Sequence, residues 1–393
     1  MEAGGTSTRK RKSAELDDGY TTPAPAAATG AADPGSGEDD GGGVREEEGD
    51  LDRISSLPDA ILQEIISLLL TRQGARSQIL ASRWRHLGRS APLNLDCRYL
   101  ATWDKLRAVI LLIFSSHQGP GRRFCTSSLY TIIDIDAVEA CLLSPALDNL
   151  QELAITSWMG QPMPASVNRF SSTLCVVHMG HCSLDVTVQG IHFPLLKQLE
   201  LVHSTISECS LHRMIAGCPS LECLLICCCT GVRCLRINSP VLTSIGVSNY
   251  SRNAPMLEEI VIESAPRLET FLHLHQYRDL HVTVLSAPKL EILGCTNSTR
   301  LMFGSTTIQG PHIVSLAMVV CTVKCLALSM PTLSLDMVIQ MMRCFPCLEK
   351  LYIQCKTSGE NNLWRRKHRD LLVHLDIRLK IVVLNYYRAG QKI

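Results

Sequence analysis

The sequence predicts an α/β protein in which a small N-terminal helical module is followed by an irregular solenoid of short, strand-forming repeats. Two observations lead to this prediction. Apolar side chains recur at helical spacing between residues 57 and 87. From residue 150 onward a six-residue pattern recurs, with apolar residues at its first, fourth and sixth positions. With 393 residues, 46% of them hydrophobic and only 19% charged, the chain is long enough for several domains and rich in core-forming side chains.

The helical module is expected to begin at Leu57-Pro58, because proline at the first helical position loses only an amide that would have no helical partner. An apolar stripe follows, made of Ile61, Leu62, Ile65, Ile66 and Leu69. A second short helical stretch contains Ile79 and Leu80, and a third contains Trp84. Three helices in about 45 residues are too few to enclose a stable core alone. A partner or a neighbouring domain should therefore complete the burial.

The six-residue pattern is the signature of leucine-rich repeats, in which each unit contributes one short strand and buries its apolar side only against its neighbours. The units begin at Leu150, Leu174, Leu196, Leu221, Val232, Leu242, Leu257, Leu290, Val323 and Leu348. Proline stands just before many of them, as at Pro194 and Pro219. Since proline stops a helix and favours extended geometry in the residue before it, each proline should turn the chain into the next strand.

The spacing of the units predicts an uneven solenoid. Where units begin about 22–25 residues apart, there is room for a helix on the convex side, as between Ile206 and Gly217. Where they begin only about 10–15 residues apart, a tight turn is expected instead.

Four segments are predicted. Residues 1–50 lack large apolar side chains and should be a disordered tail. Residues 51–97 form the helical docking module, 98–335 the leucine-rich-repeat solenoid, and 336–393 the last repeat with a further strand. That strand is indicated by alternating apolar residues between His374 and Asn385.

Charge and composition limit the function classes. The formal net charge is +1, so neither nucleic acid nor a membrane surface is an expected partner. The longest apolar runs are too short for a membrane span, and the N-terminus lacks a signal-peptide core. We therefore expect a protein of the nucleus and/or cytoplasm with mostly reduced cysteines. The basic cluster Arg9–Lys12 is a candidate nuclear-import signal, and a nucleic-acid-associated regulator using it and the basic stretch 364–369 is a weaker alternative.

The residues form no pattern typical of catalysis, such as a phosphate loop, a nucleophile elbow or a zinc-binding helix. Cys344 and Cys347 have the spacing of a zinc pair, but no matching second pair exists. The chain is therefore not expected to be an enzyme, and neither a cofactor nor a metal is expected.

Three ordered motifs, Ile54–Asp59, Ile65–Leu69 and Ser82–Leu87, resemble the F-box of plant F-box proteins. The repeats resemble those of the leucine-rich-repeat members of that family. Residues Met341–Ile353 resemble the start of the FBD module that follows the repeats in many of them, here C-terminally truncated. Two positions depart from the plant pattern: Leu70 stands where proline is usual, and Gly88 where a second tryptophan is common.

The resemblance implies a substrate-recognition subunit of a Skp–cullin–F-box ubiquitin ligase. Its helical module would dock onto the Skp-type adaptor, and the concave side of its repeats would hold an unknown target protein. The adaptor-facing and core residues would be Leu57, Pro58, Ile61, Leu62, Ile65, Ile66, Leu69, Ile79, Leu80 and Trp84. The departures at Leu70 and Gly88 leave an alternative open: a non-ligase leucine-rich-repeat scaffold, or a degenerate family member whose F-box has decayed.

Overall fold

The computed structural model describes residues 54, 56–79, 82–97, 103–126, 135–185, 192–248, 257–274, 279–296, 299–309, 312–316, 319–333, 335–358 and 378–385. The predicted disordered tail, the basic cluster Arg9–Lys12 and the basic stretch 364–369 lie outside these residues. Of the predicted alternation between His374 and Asn385, residues 378–385 are described and residues 374–377 lie outside.

The described residues form seven α-helices and eighteen strands. The helices are α1 (Asp59–Leu68), α2 (Thr71–Ser77), α3 (Ser82–Ser90), α4 (Trp103–Ser116), α5 (Ile135–Leu142), α6 (Glu208–Ala216) and α7 (Leu335–Cys344), with 3₁₀ helices at Pro145–Leu147 and Ala165–Phe170. The first strands are β1 (Leu93–Asp96), β2 (Gly121–Cys125), β3 (Glu152–Pro162), β4 (Val176–Ser183), β5 (Gln198–Val202), β6 (Cys223–Cys227), β7 (Cys234–Asn238), β8 (Ser244–Ser248) and β9 (Glu259–Ser264). The remaining strands are β10 (Thr270–Leu274), β11 (Leu280–Val284), β12 (Ile292–Thr296), β13 (Thr299–Phe303), β14 (Thr306–Gln309), β15 (His312–Ser315), β16 (Cys325–Leu333), β17 (Lys350–Ser358) and β18 (Ile381–Asn385).

Two sheets contain these strands. The main sheet has the strand order β1-β2-β3-β4-β5-β6-β8-β10-β12-β16-β17-β18, and all its neighbouring strands are parallel. The second sheet has the order β15-β14-β13-β11-β9-β7, of which β13-β14-β15 pair antiparallel. The prediction of a mixed α/β protein with repeat strands side by side in a parallel sheet is confirmed, and the helix expected between Ile206 and Gly217 is α6.

Between the closely spaced units at Val232 and Leu242, residues 239–243 join β7 to β8 without a helix, as the spacing predicted. The sequence did not predict that such units alternate between two sheets. From β6 to β13 the chain passes alternately between the main and the second sheet, so the units beginning at Val232 and Leu257 form β7 and β9 of the second sheet. Two short units together have about the length of one long unit. They form one turn of the solenoid, with one strand in the main sheet and one in the second sheet. A strand therefore replaces the helix opposite the main sheet, because a short unit has an apolar side that needs a facing layer.

The core follows the register of the main sheet. One row of side chains crosses neighbouring strands at paired positions and is buried throughout: Leu153, Val177, Leu199, Leu224, Ile245, Phe271, Leu293, Leu326 and Leu351. His273 is a polar exception in the next row, 2% exposed, with its Nδ1 2.6 Å from the Thr299 hydroxyl of β13. This hydrogen bond between the two sheets gives the buried histidine a polar partner inside an otherwise apolar core.

Candidate docking surface

The helices α1 and α3 share a small core of their own. Leu62, Ile66, Trp84, Leu87 and Ala91 are buried together, and Leu57 and Ile65 pack against them half-buried. The helical spacing of these residues explains the arrangement, because side chains three or four residues apart lie on one helix face. One face of α1 is therefore used within the chain.

Hydrogen bonds attach this helical module to the edge of the main sheet. The Asn94 side-chain amide in β1 donates to the Leu69 carbonyl at 3.0 Å, and the Thr71 hydroxyl donates to the Asn94 carbonyl at 2.7 Å. Arg122 in β2 donates to the Glu64 carboxylate and to the Ser67 hydroxyl, both at 2.7 Å. Such contacts orient α1 and α2 against the first two strands.

Between residues 59 and 79 of the helical module, four large apolar side chains are not covered by the described chain. Ile61 is 48% exposed, Leu68 61%, Leu70 40% and Ile79 80%. Ile61 and Leu68 are seven residues apart in α1, so they lie on one side of that helix. We call these four residues the exposed apolar set. Large exposed apolar side chains that form a contiguous patch are typical of surfaces that bind a protein partner.

The ten residues assigned from the sequence fall into three groups. Leu62, Ile66 and Trp84 are buried in the module's own core, and Leu57, Ile65 and Leu69 are half-buried. Pro58, Ile61 and Ile79 are exposed. Leu80 lies outside the described residues. Leu68 and Leu70 were not among the ten, although the seven-residue spacing from Ile61 is a signal for Leu68.

The repeats present a second surface, formed by the side chains of the main sheet that point away from the core. Its middle lacks charge: Leu225, Gly246, Leu272 and Gly294 occupy paired positions on β6, β8, β10 and β12. A Cβ added at Gly246 would lie 2.8 Å from Leu225 Cδ1, and one added at Gly294 would lie 2.9 Å from Leu272 Cδ2. Each leucine side chain therefore leans over the neighbouring glycine.

Polar side chains flank this apolar middle. On β4 and β5, His178 Nδ1 lies 2.9 Å from Glu200 Oε2, and this hydrogen bond lowers the pKa of Glu200. On the other side, Lys350 and Tyr352 of β17 are exposed. An apolar centre with a polar rim is the usual composition of a protein-binding surface.

Most of the eighteen cysteines of this chain lie inside the protein. Sixteen of them are buried or half-buried, and Cys209 and Cys321 are exposed. Burial raises the pKa of Cys182 to about 11 and that of Cys218 to about 12, so these thiols are protonated at neutral pH. Within the described residues, no three His, Cys, Asp or Glu side chains are placed to hold a metal ion. No helix in that part of the chain has the length and apolar character to cross a membrane.

We expect the folded chain to lose stability in mild acid because of two half-buried histidines, His117 and His181. Burial lowers the pKa of His117 below its usual 6.5, and burial together with the charge of His203 lowers that of His181, whose ring stacks on His203 at 4.8 Å. The unfolded chain then binds more protons than the folded chain as pH falls below 6.5. The free energy of unfolding should be constant above about pH 7.5 and decrease below pH 6.5.

Urea unfolding at pH 8 and at pH 5.5 measures this decrease. The variant His181→Asn tolerates the left-handed backbone at this position (φ 55°) and does not titrate in this range, so its decrease should be smaller. An equal decrease in the variant would show that His181 is not one of the responsible groups.

Comparison with known proteins assigns the repeats to a protein family. Residues 138–353 match the family model described as "FBD-associated F-box protein At5g56370, LRR repeats", which is 216 of the 393 residues and more than half of the chain. The chain belongs to this family of plant F-box proteins with leucine-rich repeats. The family match lies in the repeats and does not include α1 to α3.

Relatives from Arabidopsis thaliana agree with this placement. The chain is 27% identical over 246 residues to putative F-box/LRR-repeat protein At5g02930, covering 61% of this chain and 50% of that protein. It is 28% identical to F-box/LRR-repeat protein 25, covering 51% of this chain and 77% of that protein. It is 30% identical to F-box/LRR-repeat protein At3g03360, covering 53% of this chain and 45% of that protein. The matches thus span about half the length of two of these three relatives.

Proposed function

We propose that this F-box/LRR protein is the substrate-recognition subunit of a Skp–cullin–F-box ubiquitin ligase. Its helical module would be the F-box that binds the Skp-type adaptor, and its repeats would bind the target protein. The observation behind the proposal is the exposed apolar set, on a module whose other face packs into its own core, in a member of this family.

The energetics of the exposed apolar set fit a stable complex. Full burial of one isoleucine or leucine side chain contributes about 1.5–3 kcal/mol. A micromolar complex needs about 8 kcal/mol, and a few central anchors usually provide most of it. Four partly exposed aliphatic side chains therefore supply a large share of what adaptor binding requires.

The mechanism of this proposed subunit is proximity. One surface holds the adaptor and another holds the target, so target lysines are kept at a high effective concentration near the charged ubiquitin carrier. The apolar middle around Leu225 and Leu272, with its polar rim, is our proposed target surface. The subunit itself makes and breaks no bond. We also propose, as its location, the nucleus and/or cytoplasm.

Adaptor binding by the purified full-length chain tests the proposal. We expect micromolar or tighter binding to a Skp-type adaptor, and we expect Ile79→Glu to weaken it at least tenfold, because the complex would then bury an unpaired carboxylate. Since Ile79 is 80% exposed, this change should leave the fold intact. Isothermal titration calorimetry measures both affinities.

Leu112→Glu is the matched control. Leu112 is 68% exposed but lies on α4, outside the helical module, so its replacement should not alter adaptor affinity. Absence of binding by the unaltered chain at micromolar concentration, or equal losses in both variants, would contradict the proposal.

The alternative of a scaffold with a decayed F-box has one structural observation in its favour. Gly88 lines a cavity beside the helical module, where a large side chain would fill space. A chain that binds no adaptor but folds normally would favour this alternative.

A further inference from the structure

Two adjacent cysteines at the end of β6 hold their sulfur atoms side by side. Cys227 is the last residue of the strand and Cys228 follows it, and their Sγ atoms lie 3.9 Å apart. Adjacent residues of a regular strand point to opposite faces of the sheet, so this proximity needs a change of backbone direction. Cys228 provides it, because its φ of 52° is left-handed. We call these two residues the thiol pair.

The thiol pair is reached from the face of the main sheet that points away from the core. Cys227 is half-buried and alternates with the buried Leu224 and Ile226, so it lies on the same face as Leu225. Cys228 is 5% exposed. A ligand would therefore bind the Cys227 sulfur first, and the sulfur of Cys228 would already be beside it.

The separation of the two sulfur atoms fits a shared bridging atom better than a direct bond. The Cα atoms of a disulfide usually lie about 4.4–6.8 Å apart, whereas those of adjacent residues are only about 3.8 Å apart, so a disulfide here would be strained. Two sulfurs bound to one atom at about 2.3 Å with a tetrahedral angle lie about 3.8 Å from each other. The 3.9 Å of the thiol pair is close to that value.

The number of available sulfur atoms limits what the bridging atom can be. A structural zinc ion takes four ligands, and among the described residues no three His, Cys, Asp or Glu side chains are placed to hold a metal ion. Cys229 is directed elsewhere, since its Sγ lies 3.4 Å from the Leu201 carbonyl oxygen. Trivalent arsenic needs only two protein sulfurs, because its third bond can remain to carbon or oxygen.

We propose that the thiol pair binds a trivalent arsenical. In this reaction two S–H bonds and the arsenic–oxygen bonds of the ligand break, two As–S bonds form, and the oxygen leaves as water with the two protons. Arsenic keeps its oxidation state, so neither an oxidant nor a reductant is needed. Burial raises the pKa of Cys227 to about 11, so this thiol is protonated at neutral pH. A ligand whose own oxygen removes the proton is therefore suited to it.

Phenylarsine oxide is the probe. The full-length chain, reduced beforehand with a phosphine, should keep phenylarsenic in the presence of millimolar mercaptoethanol and release it to dimercaptopropanol. Cys227→Ser and Cys228→Ala each leave one thiol of the pair. We expect either variant to hold the probe at this site at least about a hundredfold more weakly, because the second As–S bond forms at high effective concentration only when both thiols are present. Native mass spectrometry should count one phenylarsenic group fewer in each variant.

Two further variants are controls. Cys209→Ser removes an exposed thiol outside the pair, and Cys229→Ala removes the third cysteine of the run, so neither should change the number of bound groups. Thermal unfolding shows whether each variant is folded. If Cys228→Ala does not fold, Cys227→Ser alone still tests the pair, because its side chain is half-buried and similar in size.

Three results would overturn the proposal. The unaltered chain would retain no phenylarsenic in mercaptoethanol, or Cys227→Ser would retain as many groups as the unaltered chain. The third result is a loss in Cys229→Ala without a loss in Cys228→Ala, which would assign the second sulfur to Cys229. None of these measurements depends on adaptor binding, so they stand apart from the proposed function.

Discussion

Replacing Trp84 by alanine is expected to unfold the helical module while the repeats stay folded. The module's core consists of Leu62, Ile66, Trp84, Leu87 and Ala91, and Trp84 is its largest member. Truncating a buried tryptophan costs about 3–5 kcal/mol. A core this small supplies roughly 3–5 kcal/mol in total, so a single truncation removes most of what holds the module together.

The repeats should tolerate this change because their core is separate. The large apolar cluster between the two sheets and their helices does not include Trp84. Units of a solenoid depend mainly on their direct neighbours, so the loss should reach β1 and β2 and decline beyond them.

Hydrogen–deuterium exchange resolves the two regions in one experiment. Peptides from α1 and α3 should exchange freely in Trp84→Ala, whereas peptides from β5, β6 and β8 should keep their protection. Ile79→Ala is the matched control, because this side chain is 80% exposed and its removal should not change exchange anywhere. Retained protection of α1 in Trp84→Ala would show that the sheet edge, and not the small core, holds the module in place.

The sequence predicted the strands of the repeats well, because the six-residue pattern records which side of each strand is buried. It did not predict which sheet a strand joins. The units at Leu242 and Leu257 have the same pattern, yet β8 lies in the main sheet and β9 in the second. Whether a strand joins the main or the second sheet depends on where the preceding turn of the solenoid ends. The whole series of repeats determines that position, so the pattern within one unit does not record it.

Strand β10 shows why some units were missed. Its core positions are Phe271 and His273, and the histidine interrupts the apolar pattern. Only the fold shows that Thr299 lies 2.6 Å away and makes a buried histidine acceptable. A pattern of apolar residues cannot record a polar partner that is 26 residues distant.

The candidate docking surface could also be predicted only in part from the sequence. Helical spacing identified Leu62, Ile66 and Ile61 as one apolar stripe. Their different exposure arises because α3 covers one side of α1 and leaves the other open. The order of side chains along α1 does not contain that information, and the assignment of adaptor-facing residues remains a prediction.

Replacing Gly231 by alanine is expected to destabilise the repeats where the chain first enters the second sheet. Gly231 lies between β6 and β7 and has a φ of +94°. An added Cβ would also lie 2.5 Å from the Ile206 carbonyl oxygen, which belongs to the backbone and has little freedom to move. The left-handed backbone costs about 1–2 kcal/mol and the steric conflict about 1–3 kcal/mol, so we expect a loss of about 2–5 kcal/mol.

Gly160→Ala separates the two contributions. Gly160 also has a positive φ, +78°, but an added Cβ would have no atom within 4 Å. This variant should therefore lose only the backbone part, about 1–2 kcal/mol. Urea unfolding followed by circular dichroism gives both losses under the same conditions.

The difference between these two losses in the free energy of unfolding measures the steric conflict between the Gly231→Ala methyl group and the Ile206 carbonyl, on the path from β6 to β7. A larger loss in Gly231→Ala would mean that close approach of the chain to Ile206 fixes the path from β6 to β7. Equal losses would mean that the Ile206 carbonyl yields to the new methyl group. In that case the alternation between sheets depends on the buried faces of β7 and β9 and not on the glycine turn. These faces carry Leu235, Ile237 and Ile260, which are fully or almost fully buried.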